Sequence, residues 1–230
     1  MSTLKTGALR GTSGTADTMT LHASDGSVEI PKLKVGSDAA GDVLYHNGTN
    51  YVRLAKGTDG QVLKLSGGVP TWGAAGGITV ADEWRLTSAQ TITEGDCHIG
   101  SGGGAWEQVD TAQQGTIGSA MTESNGTFTF PSTGIWQVAF TSTGHSSSAE
   151  QDFIYASLRI GGTEIAFQYS NCHSGGNVYY HVRTDSLCDI DDTSADTAKF
   201  YMTAQNGSFS AHGQTAKNNT FATFIRLGDT

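Results

Sequence analysis

The densest set of possible metal ligands is the acidic segment Asp189-Ile-Asp-Asp-Thr-Ser-Ala-Asp196. Several closely spaced carboxylates are the donor set that Ca²⁺ prefers. The segment does not match the full EF-hand pattern, in which the ligands follow fixed spacings around a glycine. We interpret it as a solvated acidic turn, with a calcium site as the alternative.

Histidines and a carboxylate pair are the next groups that could do chemistry. A histidine on a threefold axis would appear three times and could bind a metal ion; His173 and His181 are the candidates, although no spacing points to either. Glu150 and Asp152 are candidates for a glycosidase pair, which needs a cleft between separate elements. We interpret the histidines as surface or packed residues and the carboxylates as lying near a loop without a catalytic role, and we predict neither a metal nor a cofactor.

Nucleotide-binding and hydrolase motifs are missing from the chain. It contains no Gly-x-Ser-x-Gly elbow and no Gly-x4-Gly-Lys-Ser/Thr loop. The glycine run Gly100-Ser-Gly-Gly-Gly104 lacks the lysine that a phosphate-binding loop uses. We interpret that run as a loop and predict that the protein is not an enzyme.

Charge divides the chain into two parts. Residues 1–80 hold seven Lys/Arg and six Asp/Glu, a balance of +1, whereas residues 81–230 hold six and sixteen, a balance of −10. The acidic part argues against nucleic-acid binding, which needs a basic surface. The uneven balance predicts two functional parts.

Hydrophobic segments and cysteines indicate the compartment. No run approaches the roughly 18 to 20 apolar residues of a membrane helix, so we predict no membrane insertion. The N-terminus lacks the apolar core of a secretory signal, so we expect synthesis in a cytoplasm. The odd count of three cysteines, Cys97, Cys172 and Cys188, then predicts three unpaired thiols.

Residues 1–80 are rich in glycine and turns, and they favour short β-hairpins. Residues 16–22 and 27–30 alternate as strands around Asp25-Gly26. A weak repeat then pairs Gly41-Asp-Val-Leu with Gly60-Gln-Val-Leu. A two-residue turn at Asn47-Gly48 would set Val43 opposite Val52, Leu44 opposite Tyr51 and Asp42 opposite Arg53. A turn at Gly67-Gly68 would set Leu63 opposite Trp72.

These hairpins cannot fold on their own account, because isolated hairpins are marginal in water. We therefore expect residues 1–80 to form a stalk that intertwines with sister chains. Residues 73–81 read as a flexible joint.

From residue 82 onward the strands are longer and more aromatic, and helical periodicity is missing. Nine or ten short strands over 82–230 predict an all-β sandwich or jelly roll. Alternating apolar residues mark these strands: Trp84/Leu86, Phe128/Phe130, Trp136/Val138/Phe140, Ile154/Ala156/Leu158/Ile160, Ile165/Phe167/Tyr169, Val178/Tyr180/Val182, Cys188/Ile190, Ala198/Phe200/Met202 and Phe221/Thr223/Ile225.

Four short patterns in this second part resemble the globular heads of the complement and tumour-necrosis-factor jelly-roll family. They are Phe128-Thr-Phe-Pro-Ser-Thr-Gly-Ile-Trp-Gln-Val-Ala-Phe140, Leu158-Arg-Ile-Gly-Gly-Thr-Glu-Ile165, Ala198-Lys-Phe-Tyr-Met202 and Phe221-Ala-Thr-Phe-Ile225. Their order along residues 82–230 carries the resemblance. Heads of this family usually assemble as trimers on a fibrous stalk, so the resemblance implies a homotrimer.

The first part is similar to modules of tailed-phage fibres and virion proteins, in particular those of marine cyanobacterial phages. The similarity lies in the unit Gly41 to Gly48, the following Gly60-Gln-Val-Leu and Trp72, with the N-terminal Ser-Thr-Leu-Lys and the C-terminal Phe-Ile-Arg-Leu-Gly-Asp-Thr230. The resemblance implies a virion protein made in the host cytoplasm and anchored to other virion proteins through residues 1–40. The head would attach to a host-surface glycan or protein, or decorate the particle. The alternatives are a cement protein that stabilises capsid or tail without a receptor, and an enzyme such as a depolymerase.

Binding residues of such a head are expected on loops that a rigid body holds in place. The loop candidates are residues 144–152, 170–180 and 205–219, which are rich in Ser, Asn, Gly or Tyr. Tyr169, Tyr179 and Tyr180 are the candidates for receptor contact, because tyrosine offers both apolar area and a hydroxyl. Packing in the core or on a trimer axis is the alternative for all three.

Overall fold

The computed structural model describes residues 37–102, 105–146, 153–171 and 178–229, and the backbone of 20–21 and 28–29. It divides into two compact units, Met1–Gly76 and Gly77–Thr230. The described residues form strands and turns with no helix, as the sequence predicts. Accordingly, the described part of the chain offers no helix that could cross a membrane.

The strands are numbered in chain order. Those of the first unit are β1 (Thr20–Leu21), β2 (Val28–Glu29), β3 (Val43–His46), β4 (Tyr51–Leu54), β5 (Gln61–Ser66) and β6 (Val69–Ala74). Those of the second unit are β7 (Val80–Leu86), β8 (Gln90–Thr93), β9 (Cys97–His98), β10 (Trp106–Gln108), β11 (Thr122–Ser124), β12 (Thr127–Thr129), β13 (Gly134–Ser146), β14 (Phe153–Ile160), β15 (Thr163–Asn171), β16 (Val178–Ile190), β17 (Ala198–Ala204), β18 (Ser208–Ala211) and β19 (Phe221–Gly228).

Two features differ from the sequence prediction, namely the length of the joint and the number of strands. The predicted joint at 73–81 is shorter, because Ala74 still belongs to β6 and Val80 already belongs to β7. The described part of the second unit contains thirteen strands rather than nine or ten. Six of them, β8 to β12 and β18, are only two to four residues long, and the polar sequence of β8 to β11 carries little apolar alternation.

The described strands of the first unit pair antiparallel, each with the next along the chain. The strands predicted at 16–22 and 27–30 pair through Thr20 with Glu29 and Leu21 with Val28, and the turn predicted at Asp25-Gly26 lies outside the described residues. The prediction for β5 and β6 is confirmed, since Leu63 lies opposite Trp72. Gly67 and Gly68 both have positive φ, +58° and +81°, as a two-residue type I′ turn requires.

The predicted register of β3 and β4 is wrong. The observed pairs are Val43–Leu54, Leu44–Arg53, Tyr45–Val52 and His46–Tyr51. Asn47 does not adopt positive φ; instead its side-chain oxygen accepts hydrogen bonds from the backbone N–H groups of Thr49 and Asn50 at 2.9 and 2.8 Å. This Asx-type turn closes a four-residue loop and shifts the register by two residues.

Side-chain contacts, rather than a core, hold the two described hairpins of the first unit. Asp42 forms an ion pair with Arg53 at 2.5 Å and accepts the backbone N–H groups of Ala39 and Lys56. The hydrogen bond from Ala39, followed by those from Lys56 and Arg53, lowers the pKa of Asp42. The indole of Trp72 donates to the carbonyl of Ala55 at 2.7 Å. No residue between 37 and 76 is buried within the chain.

The second unit is a sandwich of two antiparallel sheets with jelly-roll connectivity. The first sheet has the order β10-β7-β19-β13-β18-β8, with β16 along the other edge of β13. The second sheet has the order β11-β12-β17-β14-β15, with β9 beside β17. From β12 to β19 the chain passes repeatedly from one sheet to the other. This confirms the predicted all-β jelly roll.

The core lies between the sheets and is dense in aromatic rings. Phe200 is fully buried and lies against the rings of Trp106, Phe128, Phe140 and Phe224, with centroids 4.8 to 6.2 Å apart. Alternation positions one set of side chains per strand in this core. The predicted inward residues include the fully buried Trp136, Val138, Phe140, Ala156, Leu158, Ile190, Ala198 and Met202.

Two buried charged residues on β7 hold the long segment between β10 and β11. The carboxylate of Asp82 accepts hydrogen bonds from Glu83 N, Trp84 Nε1, Gln108 Nε2 and Met121 N at 2.8 to 2.9 Å. Arg85, which is 1 % exposed, pairs with Glu107 at 2.7 Å and with Asp110 at 2.9 Å. A segment poor in apolar residues is thereby fixed against the sheet.

Both described cysteines are unpaired, as predicted. Cys97 is half-buried on β9 and Cys188 is buried on β16. Burial raises the pKa of the Cys188 thiol to about 12, which keeps it protonated and unreactive. Cys172 lies outside the described residues.

Candidate binding surface

The β14–β15 hairpin builds an aromatic surface on the outer side of the second sheet. Gly161 and Gly162 form its turn with φ of +56° and +87°. Between Arg159–Glu164 and Leu158–Ala166 the register shifts, which leaves Ile165 as the extra residue of a β-bulge. Because of this bulge, Phe167 lies opposite Ser157 rather than opposite an inward residue.

Four rings meet on this surface, which we call the aromatic face and define as Phe153, Tyr155, Phe167 and Tyr169. Tyr155 lies opposite Tyr169 with ring centroids 5.3 Å apart, and Phe167 lies 5.4 Å from Tyr155 and 5.5 Å from Tyr169. Phe153 meets Tyr169 edge-on at 5.2 Å. Phe167 and Tyr169 remain 49 % and 54 % exposed within the chain. A contiguous set of exposed rings marks an interaction site more than single exposed apolar residues do.

An ion-pair network borders the aromatic face. The guanidinium of Arg159 pairs with Asp96 at 2.5 Å and lies 3.7 Å from Glu164. It also stacks over the ring of Tyr201, 4.1 Å from the centroid. Hydrogen bonding to Asp96 raises the pKa of Arg159 further, so this side chain stays charged. The rings of the aromatic face therefore lie beside hydrogen-bonding side chains of both positive and negative charge.

The pKa values of two neighbouring side chains are shifted in the direction that favours the neutral form. Burial, and then the hydrogen bond to Glu164, raise the pKa of Tyr155, so its hydroxyl remains protonated and donates to the Glu164 carboxylate. His98 stacks on Tyr201 with centroids 4.9 Å apart, and its Nε2 lies 2.9 Å from the carbonyl oxygen of Gly126. Burial lowers the pKa of His98. The surface around the rings thus gains no cation from His98 at neutral pH.

The structure separates the three tyrosines proposed for receptor contact. Tyr169 lies on the aromatic face, whereas Tyr179, which is 73 % exposed, lies on β16 of the other sheet. Tyr180 is 5 % exposed, and its hydroxyl lies 3.2 Å from Ser142 Oγ, so its prediction as a contact residue is wrong and its alternative, core packing, holds. Adjacent residues of a strand point to opposite faces, so Tyr179 and Tyr180 cannot share one surface.

The predicted loops are also shorter than expected. β13 extends to Ser146, β15 to Asn171, and β16 begins at Val178, so strands occupy parts of 144–152 and 170–180. The segment 205–219 contains β18. Residues 147–152 and 172–177, and with them Glu150, Asp152 and His173, lie outside the described residues.

The acidic segment forms a turn whose carboxylates bind its own backbone. Asp192 accepts the hydroxyl and backbone N–H of Ser194, which lowers the pKa of Asp192. Asp196 accepts the backbone N–H groups of Asp191 and Asp192 at 3.1 and 2.9 Å. These contacts agree with the acidic-turn interpretation.

Sequence reasoning missed Phe153, Tyr155 and Arg159 and did not place Phe167 on a binding surface. A regular two-residue hairpin at Gly161-Gly162 would put Tyr155 opposite Gln168, and Phe167 and Tyr169 would then face inward. The bulge at Ile165 reverses their direction, because a one-residue shift moves every side chain to the other face. Tyr155 and Arg159 at alternate positions of a strand were the only signal available.

Comparisons with known proteins add two structural similarities. The chain is similar to the PRD1 vertex protein P5, with 13 % identity and a TM-score of 0.46, over 66 % of this chain and 100 % of that one. It is similar to Eiger TNF from S. frugiperda, with 11 % identity and a TM-score of 0.46, over 66 % of this chain and 95 % of that one. No protein-family model matches the sequence. The search of curated proteins found no similar sequence.

Proposed function

We propose that this protein is a homotrimeric phage virion fibre whose jelly-roll unit attaches the particle to a host-cell surface. The observation that carries the proposal is the aromatic face, four contacting rings of which Phe167 and Tyr169 are exposed, on a unit with an otherwise well-packed core. Aromatic anchors carry much of the energy in protein recognition surfaces. The sequence resemblance to fibre proteins supplies the virion setting.

The first unit supports the assembled state. Its apolar side chains, such as Leu44, Leu63 and Leu65, are 42 %, 48 % and 72 % exposed within the chain. Exposed apolar side chains on two-stranded hairpins leave those hairpins marginal. Two identical chains would cover them, and residues 1–40 would bind other virion proteins.

The groups on the aromatic face suit a glycan as the attached ligand. Sugar rings present C–H faces that pack on aromatic rings, and their hydroxyls need hydrogen-bond donors and acceptors. Tyr155, Arg159 and Glu164 supply such groups beside the rings. Binding of this kind requires no turnover, and we propose that the head is not an enzyme. Threefold repetition would add avidity on a dense surface.

A cement role is the second candidate. The same aromatic face would suit burial against another virion protein, because large exposed apolar patches also mark permanent interfaces. In that case the face is covered in the particle and meets no host cell. The two roles therefore differ in whether the free protein binds cells.

The deciding experiment measures binding of the purified full-length protein to a panel of marine cyanobacterial strains and its effect on adsorption of a phage that carries it. We expect binding to at least one strain, slower adsorption, and a loss of roughly tenfold or more in Phe167→Ala/Tyr169→Ala. Leu187→Ala is the matched control, since Leu187 is 62 % exposed on the other sheet. If wild type neither binds nor slows adsorption, attachment is refuted and the cement role remains.

A further inference from the structure

Two imidazole rings meet on the first sheet of the jelly roll, away from the aromatic face. His145 lies on β13, opposite Tyr179 of β16 and Ser210 of β18. His212 directly follows β18, which ends at Ala211. Nδ1 of His145 lies 2.8 Å from Nε2 of His212, and the ring centroids are 5.0 Å apart.

The backbone fixes both residues. His145 is held by strand pairing on both of its sides. The backbone N–H of His212 donates to the carbonyl of Thr143 at 2.8 Å, although His212 lies beyond its strand. Only the side-chain torsions remain adjustable, so a ligand bridging the two rings would pay little ordering entropy.

We propose that His145 Nδ1 and His212 Nε2 chelate a divalent transition-metal ion such as Zn²⁺, with water in the remaining coordination positions. Zn–N bonds of about 2.0 to 2.1 Å in tetrahedral geometry place two ligating nitrogens roughly 3.3 Å apart. The present separation of 2.8 Å therefore has to widen only slightly. In the metal-free pair one nitrogen donates its hydrogen to the other. Metal binding moves that hydrogen to the far nitrogen of the donor ring, so both facing nitrogens present lone pairs.

The surroundings keep the pair available to a metal. Both side chains are half-buried, so solvent reaches them. The ring of Tyr179 lies 5.7 Å from that of His145. Among the described residues no third His, Cys, Asp or Glu completes a cluster, so the described part of the chain supplies two ligands.

The histidines considered from the sequence as possible metal ligands are not part of this pair. His181 lies on β16 opposite Thr143 with an exposed side chain, and His173 lies outside the described residues. The pair at 145 and 212 is separated by 67 residues and meets only through the pairing of β13 with β18. No local spacing could reveal it.

The test is Zn²⁺ binding to the tag-free full-length protein, measured by competition with a chromophoric chelator. We expect one site per chain, weakened at least tenfold in His145→Gln and in His212→Gln. His181→Gln is the matched control and should bind as wild type does, and metal-free thermal unfolding checks that each variant folds. Absence of a site in wild type, unchanged binding in either folded variant, or equal loss in the control would overturn the proposal.

A second readout decides the matter if a variant does not fold. Nitrogen-15 NMR of the imidazole rings in the wild-type protein reports directly which nitrogens bind the metal. Zn²⁺-dependent shifts at His145 Nδ1 and His212 Nε2 support the site. Shifts confined to other histidines refute it. The inference is independent of the attachment role, since neither residue belongs to the aromatic face.

Discussion

The described parts of the two units are both built from antiparallel β-strands, yet they are stabilised in different ways. Residues 37–76 contain no buried residue, and their order comes from turns and from the contacts of Asp42 and Trp72. The second unit buries a continuous cluster that includes Trp136, Phe200 and Phe224. Local hydrogen bonds define a hairpin's shape, but only a shared core makes that shape stable alone.

The largest expected difference between the units is whether each one folds when it is expressed alone. Residues 1–76 expressed alone should show no cooperative thermal transition, because the described hairpins bury no side chain. Residues 77–230 expressed alone should unfold cooperatively, since they contain the whole described core. Calorimetry of the two fragments measures this. A sharp transition in the isolated first fragment would contradict the comparison.

Truncation of a large apolar side chain should have the second largest effect, and that effect should differ between the two units. Phe200→Ala should lower the free energy of unfolding of the second unit by about 3 to 5 kcal/mol, because the ring contacts four others and its loss leaves a cavity. Leu65→Ala is the control in the first unit. Leu65 is 72 % exposed, so its removal should change stability by less than about 0.5 kcal/mol in denaturant unfolding. Equal losses would mean that Leu65 is buried in the assembly.

A buried polar anchor should have the next largest effect. Asp82→Ala should cost about 2 to 4 kcal/mol, because it leaves Trp84 Nε1, Gln108 Nε2 and Met121 N without their acceptor. Asp185→Ala is the matched exposed control on the same sheet. A variant of Asp82 that unfolds in urea with wild-type stability would show that the Asp82 carboxylate does not anchor the segment 109–121.

Protonation of His98 should have the smallest effect. Burial lowers the folded-state pKa of His98 below its ordinary value of 6.5, so the unfolded chain binds this proton more readily. The stability that the neutral His98 ring contributes is full above pH 6.5, and it is lost as the pH falls from 6.5 to the folded-state pKa. His98→Gln should therefore lose less stability than wild type between pH 7 and pH 5. A steeper loss in the variant would reverse the sign and refute the assignment.

Turn chemistry determined which hairpin the sequence could predict. At Gly67-Gly68 only the backbone acts, and both glycines accept positive φ, so the register of β5 and β6 follows from the turn. At Asn47-Gly48 the asparagine side chain competes by binding Thr49 and Asn50, and it prevents the expected turn. Turn propensity predicts that an asparagine lies in a turn. It does not predict whether the turn forms through positive φ of the backbone or through hydrogen bonds of the side chain.

The candidate site depended on features that no local pattern contains. Core faces such as Trp136/Val138/Phe140 follow from alternation and are correct. In β19 the buried face instead holds Ala222 and Phe224, between the more prominent Phe221 and Ile225. The aromatic face needs the bulge at Ile165, which makes Phe167 and Tyr169 face outward. Bulges arise from packing between strands, so a single strand's sequence does not reveal them.

The mass of the full-length protein in solution tests the account most directly. We propose that the chain, whose residues 37–76 contain no buried residue and whose head carries an exposed aromatic surface, forms a homotrimer. Light scattering after size-exclusion chromatography should give about three times the chain mass of 24.0 kDa at micromolar concentration. A single monodisperse species of one chain mass, with residues 37–76 protected from proteolysis, would contradict the account.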